Sequence, residues 1–384
     1  MRSRTLIVAS LFTIFLGAYL LAYSGDIQAS DELSMLTVTR NLLVLGTADT
    51  DAVRWMGLQQ GAIGSDGHLY SKYGLGTSVA ALPLFGLGQL LTSSLGAVRA
   101  VSLLNPMLTA ASGVMVFLYA AGLGYGQRTA IATSLLYGLT SLAAVYSQTF
   151  FSEPLTAFAL AGCAYSLLRF KLSQRTLYAL LGGAALGVAV VTRVASLVLI
   201  PLFAVYIVAA CITPRAHSTR KGLRDCWPPL AAYAAPLGVA VLIVATYNKA
   251  RFGVPWQTGY HPLETFSTPL LQGFLGLLIC PGKGLVFYSP IVLLSAVGYG
   301  EFVRTRRAES MLCAAVLLVQ LVLYGGWHLW HGGHCWGPRF LVPILPFLAM
   351  IWPAVLSRAE KHRWRIVLVL TLALLSVVPQ VLGL

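Results

Sequence analysis

Acidic residues are scarce in this chain. Only 12 of its 384 residues are Asp or Glu, and charged residues of all types make up 10%. Soluble domains carry roughly 25% charged residues, so an ordinary globular fold is excluded. The alternating pattern of a membrane β-barrel is missing as well. No internal repeat and no soluble domain is evident. The six cysteines are scattered and form no disulfide framework. Cys163, Cys211 and Cys313 fall in or at the ends of apolar runs and read as packing residues, while Cys226 falls in a basic loop. Cys280 and Cys335 fall in segments placed outside, and their spacing leaves a pairing open.

What fills the chain is hydrocarbon: 57% of residues are hydrophobic and the mean hydropathy is +0.77. Apolar runs of about 18 to 20 residues recur, each long enough to cross a bilayer as a helix. Helices are the expected element in lipid, because the backbone must bond internally. Eleven spans are expected, near 6–23, 100–121, 130–150, 153–170, 177–192, 194–213, 229–247, 285–301, 309–326, 340–357 and 366–383. The fold class is therefore an all-α polytopic membrane protein, with 1–384 as one domain. The first run, after Arg2 and Arg4, reads as a retained anchor rather than a cleaved signal peptide.

The formal net charge is +14, from 26 basic and 12 acidic residues. In a soluble protein that would suggest nucleic acid. Here most Lys and Arg sit in short loops between apolar runs, so the excess reads as topology and no nucleic-acid partner is expected. One further run, 75–92, decides the arrangement. If it stays outside and the N-terminus is inside, 17 cations lie inside and 9 outside; Arg128, Lys171, Arg215, Arg220, Lys221, Arg306 and Lys361 are among the 17. If it crosses, the counts become 8 and 18. The positive-inside rule selects the first arrangement. The run 75–92 is then a juxtamembrane or re-entrant helix. The outer face gathers 24–99, Ser152–Glu153, 248–284 and 327–339.

The chemistry concentrates there. Six of the twelve acids lie between Gly25 and Tyr73: Asp26, Asp31, Glu32, Asp49, Asp51 and Asp66. Membrane proteins keep charge where it has a function. An amphipathic helix is expected after Ser30, with Ser30 as its cap, Asp31 and Glu32 in its first turn, and Leu33, Met35, Leu36, Leu42 and Leu45 as an apolar stripe. It would lie at the membrane surface. Asp66 opens a glycine-rich segment in which Lys72, between Tyr70 and Tyr73, could meet an anionic headgroup. Glu153 sits at an outer turn before Pro154. The loop 248–284 offers Lys249, Arg251 and Lys283, cations on the side where the topology rule disfavours them. The stretch WHLWHGGHCWGPRF supplies Trp336, which could stack on a sugar ring, and Arg339, which could fork onto a phosphate. Its His328, His331, His334 and Cys335 have enough ligands for zinc but match no standard signature. No metal ligand is assigned, and a divalent metal is left open as a cofactor.

Four stretches resemble the GT-C membrane glycosyltransferases, which include the protein O-mannosyltransferases and the lipid A aminoarabinose transferase. They are GDIQASDELSML, DGHLYSKYGLGTSVAALPLFGLG, YNKARFGVPWQTGY with CPGKGLVFYSP, and WGPRFLVPILP. The resemblance implies a GT-C-like bundle of about eleven helices with juxtamembrane helices in the first outer loop. It implies transfer of one sugar, with inversion, from a polyprenyl-phosphate carrier to a lipid, glycan or protein acceptor at the outer face. Asp31 would be the general base, Glu32 and Glu153 further acidic positions, and Lys72 and Arg339 partners of the leaving phosphate. The chain departs from the mannosyltransferase branch at Ser71-Lys72-Tyr73-Gly74, where that branch has a His-Pro-Pro-type motif. A polytopic transporter or lipid flippase is the alternative, although repeated halves and mid-span charges are not evident.

Overall fold

In the computed structural model, residues 2–91, 94–212, 222–359 and 362–384 are described. Arg215, Arg220, Lys221 and Lys361, counted above as inside cations, lie outside the described residues. The chain is nearly all helix. It opens with α1 (Arg2–Leu21) and α2 (Ser30–Val44), then a ribbon of β1 (Gly61–Ile63) and β2 (Leu69–Ser71). The ribbon is antiparallel, with Gly61 opposite Ser71. Next come α3 (Leu75–Leu91), α4 (Ser94–Ser102), α5 (Leu104–Gly122), α6 (Gln127–Thr140) and α7 (Ala143–Tyr146). The middle holds α8 (Glu153–Ser173), α9 (Thr176–Thr192), α10 (Ile200–Ile212) and α11 (Trp227–Phe252). The last third holds α12 (Leu270–Ile279), α13 (Leu285–Tyr288), α14 (Leu293–Thr305), α15 (Arg307–Gly325), α16 (Leu345–Ala349), α17 (Pro353–Leu356) and α18 (Arg363–Gly383).

Among the described residues, eight helical segments are long and apolar enough to cross a membrane. They are Arg4–Leu21, Gly96–Gly122, Glu153–Ser173, Val194–Ile212, Leu223–Phe252, Arg307–Gly325, Arg339–Leu356 and Arg363–Gly383. Each overlaps one of the eleven expected spans. The other three differ for physical reasons. The 177–192 run becomes α9, an apolar helix of 17 residues, just short of that length. The 130–150 run breaks at Ser141, whose backbone is extended and whose hydroxyl donates to Tyr137 O at 2.6 Å. The 285–301 run breaks at Ser289–Pro290, because proline has no N–H to continue the helix. The two breaks meet: Leu142 N donates to Ser289 Oγ at 2.8 Å. Hydropathy registers neither serine. The 75–92 run forms α3, an apolar helix of 17 residues with Pro83 inside it.

Helix α2 departs from the expected apolar stripe. Asp31, Glu32, Ser34, Met35, Thr37, Val38, Thr39 and Asn41 are buried, whereas Leu43, Val44 and Leu45 are exposed. Its polar side chains are satisfied by neighbours: Ser34 Oγ donates to Ser71 Oγ at 2.9 Å, and Asn41 Nδ2 to Asp49 O at 2.9 Å. The cap also differs. Ala29 is the N-cap, and Glu32 reaches back to accept from Gln28 N at 2.8 Å and Ala29 N at 3.0 Å. Ser30 instead accepts from Gln60 Nε2 at 2.5 Å.

Glycines set two close crossings that position the site. A Cβ on Gly74, just before α3, would lie 2.4 Å from Thr192 O at the end of α9. A Cβ on Gly273 of α12 would lie 1.9 Å from Gly325 O of α15. Gly273→Ala is therefore expected to lower stability by about 1–3 kcal/mol through overpacking. Thermal unfolding in detergent would read it, and an unchanged midpoint would show that the crossing yields freely.

Candidate active site

The segments expected on one face converge on a single cavity of about 870 Å³. Its walls come from the start of α2, the β2–α3 turn, the start of α8, the end of α9, the last turns of α11 with the loop after it, and the stretch from α15 to Phe340. One wall is apolar: Val190 and Val191 of α9, Ile243 and Val244 of α11, and Leu323 of α15. The rest of the lining carries ions and amides.

Two carboxylates face two guanidiniums there. Arg339 Nη1 donates to Asp31 Oδ2 at 2.7 Å. Arg193 Nη1 donates to Glu153 Oε1 and lies 3.4 Å from Ser152 Oγ. Arg339 Nε lies 3.9 Å from Glu153 Oε1, too far for a hydrogen bond, and has no partner although it is buried. Phe340 lies between the arginines, its ring 5.3 Å from the Arg193 guanidinium and 5.1 Å from that of Arg339. Tyr324 stacks on Phe340 at 4.6 Å. Such faces attract cations and hold both guanidiniums in place while their polar edges stay at the cavity. Lys72 Nζ pairs with Glu264 Oε1 at 2.6 Å and sits 5.5 Å from the Tyr260 ring. Tyr73 donates to Gln60 Oε1. Burial first, then the Asp31 charge, pushes the Tyr73 phenol well above its ordinary range. Burial likewise pushes Tyr260 up to about 12. Both stay neutral donors near pH 7.

Asp31, Glu153, Lys72, Tyr73, Arg251 and Arg339 thus all line the cavity. Five other sequence candidates stand apart from it. Glu32 does not line it; besides its cap, it accepts from Phe150 N at 2.7 Å. Burial raises its carboxyl, against three amide donors that lower it. Asp66 is exposed and accepts from Tyr70 Oη at 2.7 Å, which holds it below the usual carboxylate range. Lys249 is exposed. Lys283 Nζ donates to Gly333 O at 2.9 Å and Cys335 O at 2.5 Å. Trp336 Nε1 donates to Pro379 O at 3.0 Å, so this ring locks α18. Arg251 is a wall of the site rather than a free cation. It donates to Ser71 O and, at 2.7 Å, to Asn248 Oδ1, and it lies 3.7 Å from the Tyr247 ring. Arg193 is the residue that sequence reasoning missed. An arginine between two long apolar runs is itself a signal.

Cys280 and Cys335 are both free thiols. His331 Nδ1 accepts from Gly333 N at 3.2 Å, and His334 is exposed. Among the described residues, no group of three or more His, Cys, Asp or Glu could hold a metal ion. Asp31 and Glu153, which line the cavity, are each paired with an arginine.

No protein-family model matches the sequence, and no curated protein matches it. Solved structures do. The archaeal oligosaccharyltransferase AglB from Archaeoglobus fulgidus, in complex with an inhibitory peptide and a dolichol-phosphate, is similar with a TM-score of 0.64 at 10% identity, over 99% of this chain and 55% of that one. ArnT from Cupriavidus metallidurans, bound to undecaprenyl phosphate, gives 0.58 at 14% identity, over 91% of this chain and 60% of that one. The A. fulgidus oligosaccharyltransferase in complex with zinc and sulfate gives 0.58 at 10% identity, over 98% and 52%. The chain shares its fold with these two kinds of structure, the archaeal oligosaccharyltransferase and ArnT. This chain spans little more than half the length of the structures it matches, and the likeness is one of fold.

Proposed function

We propose that the chain is an inverting glycosyltransferase that moves a sugar from a polyprenyl-phosphate carrier to an acceptor hydroxyl at the outer face of the membrane. The cavity is the observation that carries this reading: carboxylates and guanidiniums gather in one partly enclosed space that continues along an apolar wall. A prenyl chain fits that wall, and its phosphate then meets Arg339, Arg193 and Lys72. The GT-C structures that hold dolichol-phosphate and undecaprenyl phosphate support the same class of carrier.

In this reading Asp31 takes the acceptor's hydroxyl proton. The oxygen attacks the anomeric carbon from the face opposite the phosphate. The sugar–phosphate C–O bond breaks, and its electron pair leaves on the phosphate oxygen, where positioned cations stabilise it. No covalent enzyme intermediate forms, and the anomeric configuration inverts. The Asp31–Arg339 pair loosens as phosphate competes for the guanidinium, and the unpartnered Nε of Arg339 gains an acceptor.

Two measurements test this. Lipid co-purified with the protein is expected to contain polyprenyl phosphate by mass spectrometry; bilayer phospholipid alone would sink the proposal. Arg339→Ala is expected to raise the donor KM about 10- to 100-fold through loss of charge-assisted hydrogen bonds, with acceptor KM little changed. An unchanged donor KM would remove Arg339 from the phosphate.

A further inference from the structure

We infer that the end of the bundle far from the cavity holds a binding site for an anionic phospholipid, whose phosphate sits on Arg365 and Arg358 between α14 and the start of α18. Nothing in this site depends on the sugar-transfer reading. Helix α15 begins at Arg307 and reaches the cavity at Leu323 and Tyr324. Arg307 therefore lies about 24 Å from the cavity along the helix. Helix α18 runs in the same sense. Trp336, two residues beyond the cavity residue His334, bonds to Pro379 O near the end of α18, so its start lies at the far end.

Positive charge gathers there without balance. Segments 301–307 and 358–365 carry seven Lys or Arg and two Glu. Glu301 of α14 serves two arginines at once: Arg358 Nε lies 2.6 Å from its Oε1, and Arg365 Nη1 lies 3.6 Å from its Oε2. The second contact is too long for a hydrogen bond. Arg365 Nε is buried and has no partner among the described residues. The backbone adds to the imbalance. Arg363 and Arg365 occupy the first turn of α18, which has no acidic residue and no side-chain cap. A helix presents partial positive charge at that end, so both arginines stand where the dipole repels them. A phosphate here takes the fork of Arg365, shares the exposed guanidinium of Arg358 and complements the helix end.

The surface beside the arginines shows what carries the phosphate. Trp364 is exposed, and the Arg365 guanidinium lies 5.2 Å from its ring. Tryptophan favours the headgroup level of a bilayer. Val367, Leu370 and Leu374 are exposed and apolar, and their spacing from Arg363 keeps them on its face of α18. A free phosphate would leave that stripe bare. A phospholipid covers both parts, with its acyl chains along the stripe. The headgroup is anionic, because the ammonium of a zwitterionic one would sit among the same surplus of arginines.

The test titrates the full-length protein in detergent with phosphatidylglycerol, phosphatidylcholine or inorganic phosphate. Bound lipid is read by native mass spectrometry and its effect by the thermal midpoint. Phosphatidylglycerol is expected to bind about tenfold more tightly than phosphatidylcholine, to raise the midpoint, and to lose that preference in high salt. Inorganic phosphate is expected to leave the midpoint unchanged. Equal affinity for the two lipids would overturn the site, and a midpoint raised as much by phosphate would replace the lipid with a soluble anion. Arg365→Gln is expected to weaken phosphatidylglycerol binding about fivefold. Arg175→Gln removes the same charge from the exposed turn after α8, at the same end of the bundle, and is expected to change it little. Equal losses in the two variants would reduce the site to general attraction by a basic surface. If Arg365→Gln does not fold, the headgroup and salt comparisons on the parent protein still decide.

Discussion

Replacing Asp31 by Asn is expected to lower kcat for sugar transfer about 10²- to 10⁴-fold, the usual contribution of a positioned general base. The substitution is nearly isosteric. Asn keeps an oxygen for Arg339, which now donates at 2.7 Å, so the cavity should keep its shape and the donor KM should change little. What is lost is the proton acceptor. Circular dichroism and gel filtration would show the variant folded, and a radiolabelled donor would read turnover. Turnover within a few-fold of the parent would remove Asp31 from the role of base, and Glu153 would then be the carboxylate to replace.

The second large effect is on stability. Arg193→Ala strips the partner from Glu153, whose side chain is 2% exposed. Removing one member of a buried pair costs about 3–5 kcal/mol, because the other charge stays behind uncompensated. The same change withdraws the guanidinium from the faces of Tyr324 and Phe340. A marked fall in the thermal midpoint is expected. Adding Glu153→Gln to Arg193→Ala should recover much of that fall, since it removes the stranded charge, but it should not restore transfer. A double variant as unstable as Arg193→Ala alone would show that the pair matters through its packing rather than its charge.

The sequence made some of this legible and hid the rest for identifiable reasons. Eight long apolar segments were visible because lipid demands length and hydrophobicity, and both are local properties. The helix breaks at Ser141 and Ser289 were not, because each serine's role depends on a partner more than a hundred residues away or on the following proline. Asp31, Glu153 and Arg339 drew notice because charge is rare here, and the structure places all three on one cavity. The neighbouring Glu32 has the same composition signal and a different place: it ties the start of α2 to Phe150. Only the direction of the side chain separates the two, and spacing along the chain does not carry that. Asn105, fully buried, grips the same turn from the other side through Thr149 O at 2.7 Å and Phe151 O at 2.9 Å. No pattern in the sequence marked it.

The ion pair between Asp31 and Arg339 joins residues 308 positions apart. During synthesis the first of these emerges long before the second exists. A nascent chain that has threaded its early helices into the bilayer still lacks half of its central bond, and Asp31 must wait, solvated or screened by something else, until the last third arrives. This side of the cavity is therefore completed late in synthesis, and a chain that stops before residue 339 lacks the partner of Asp31.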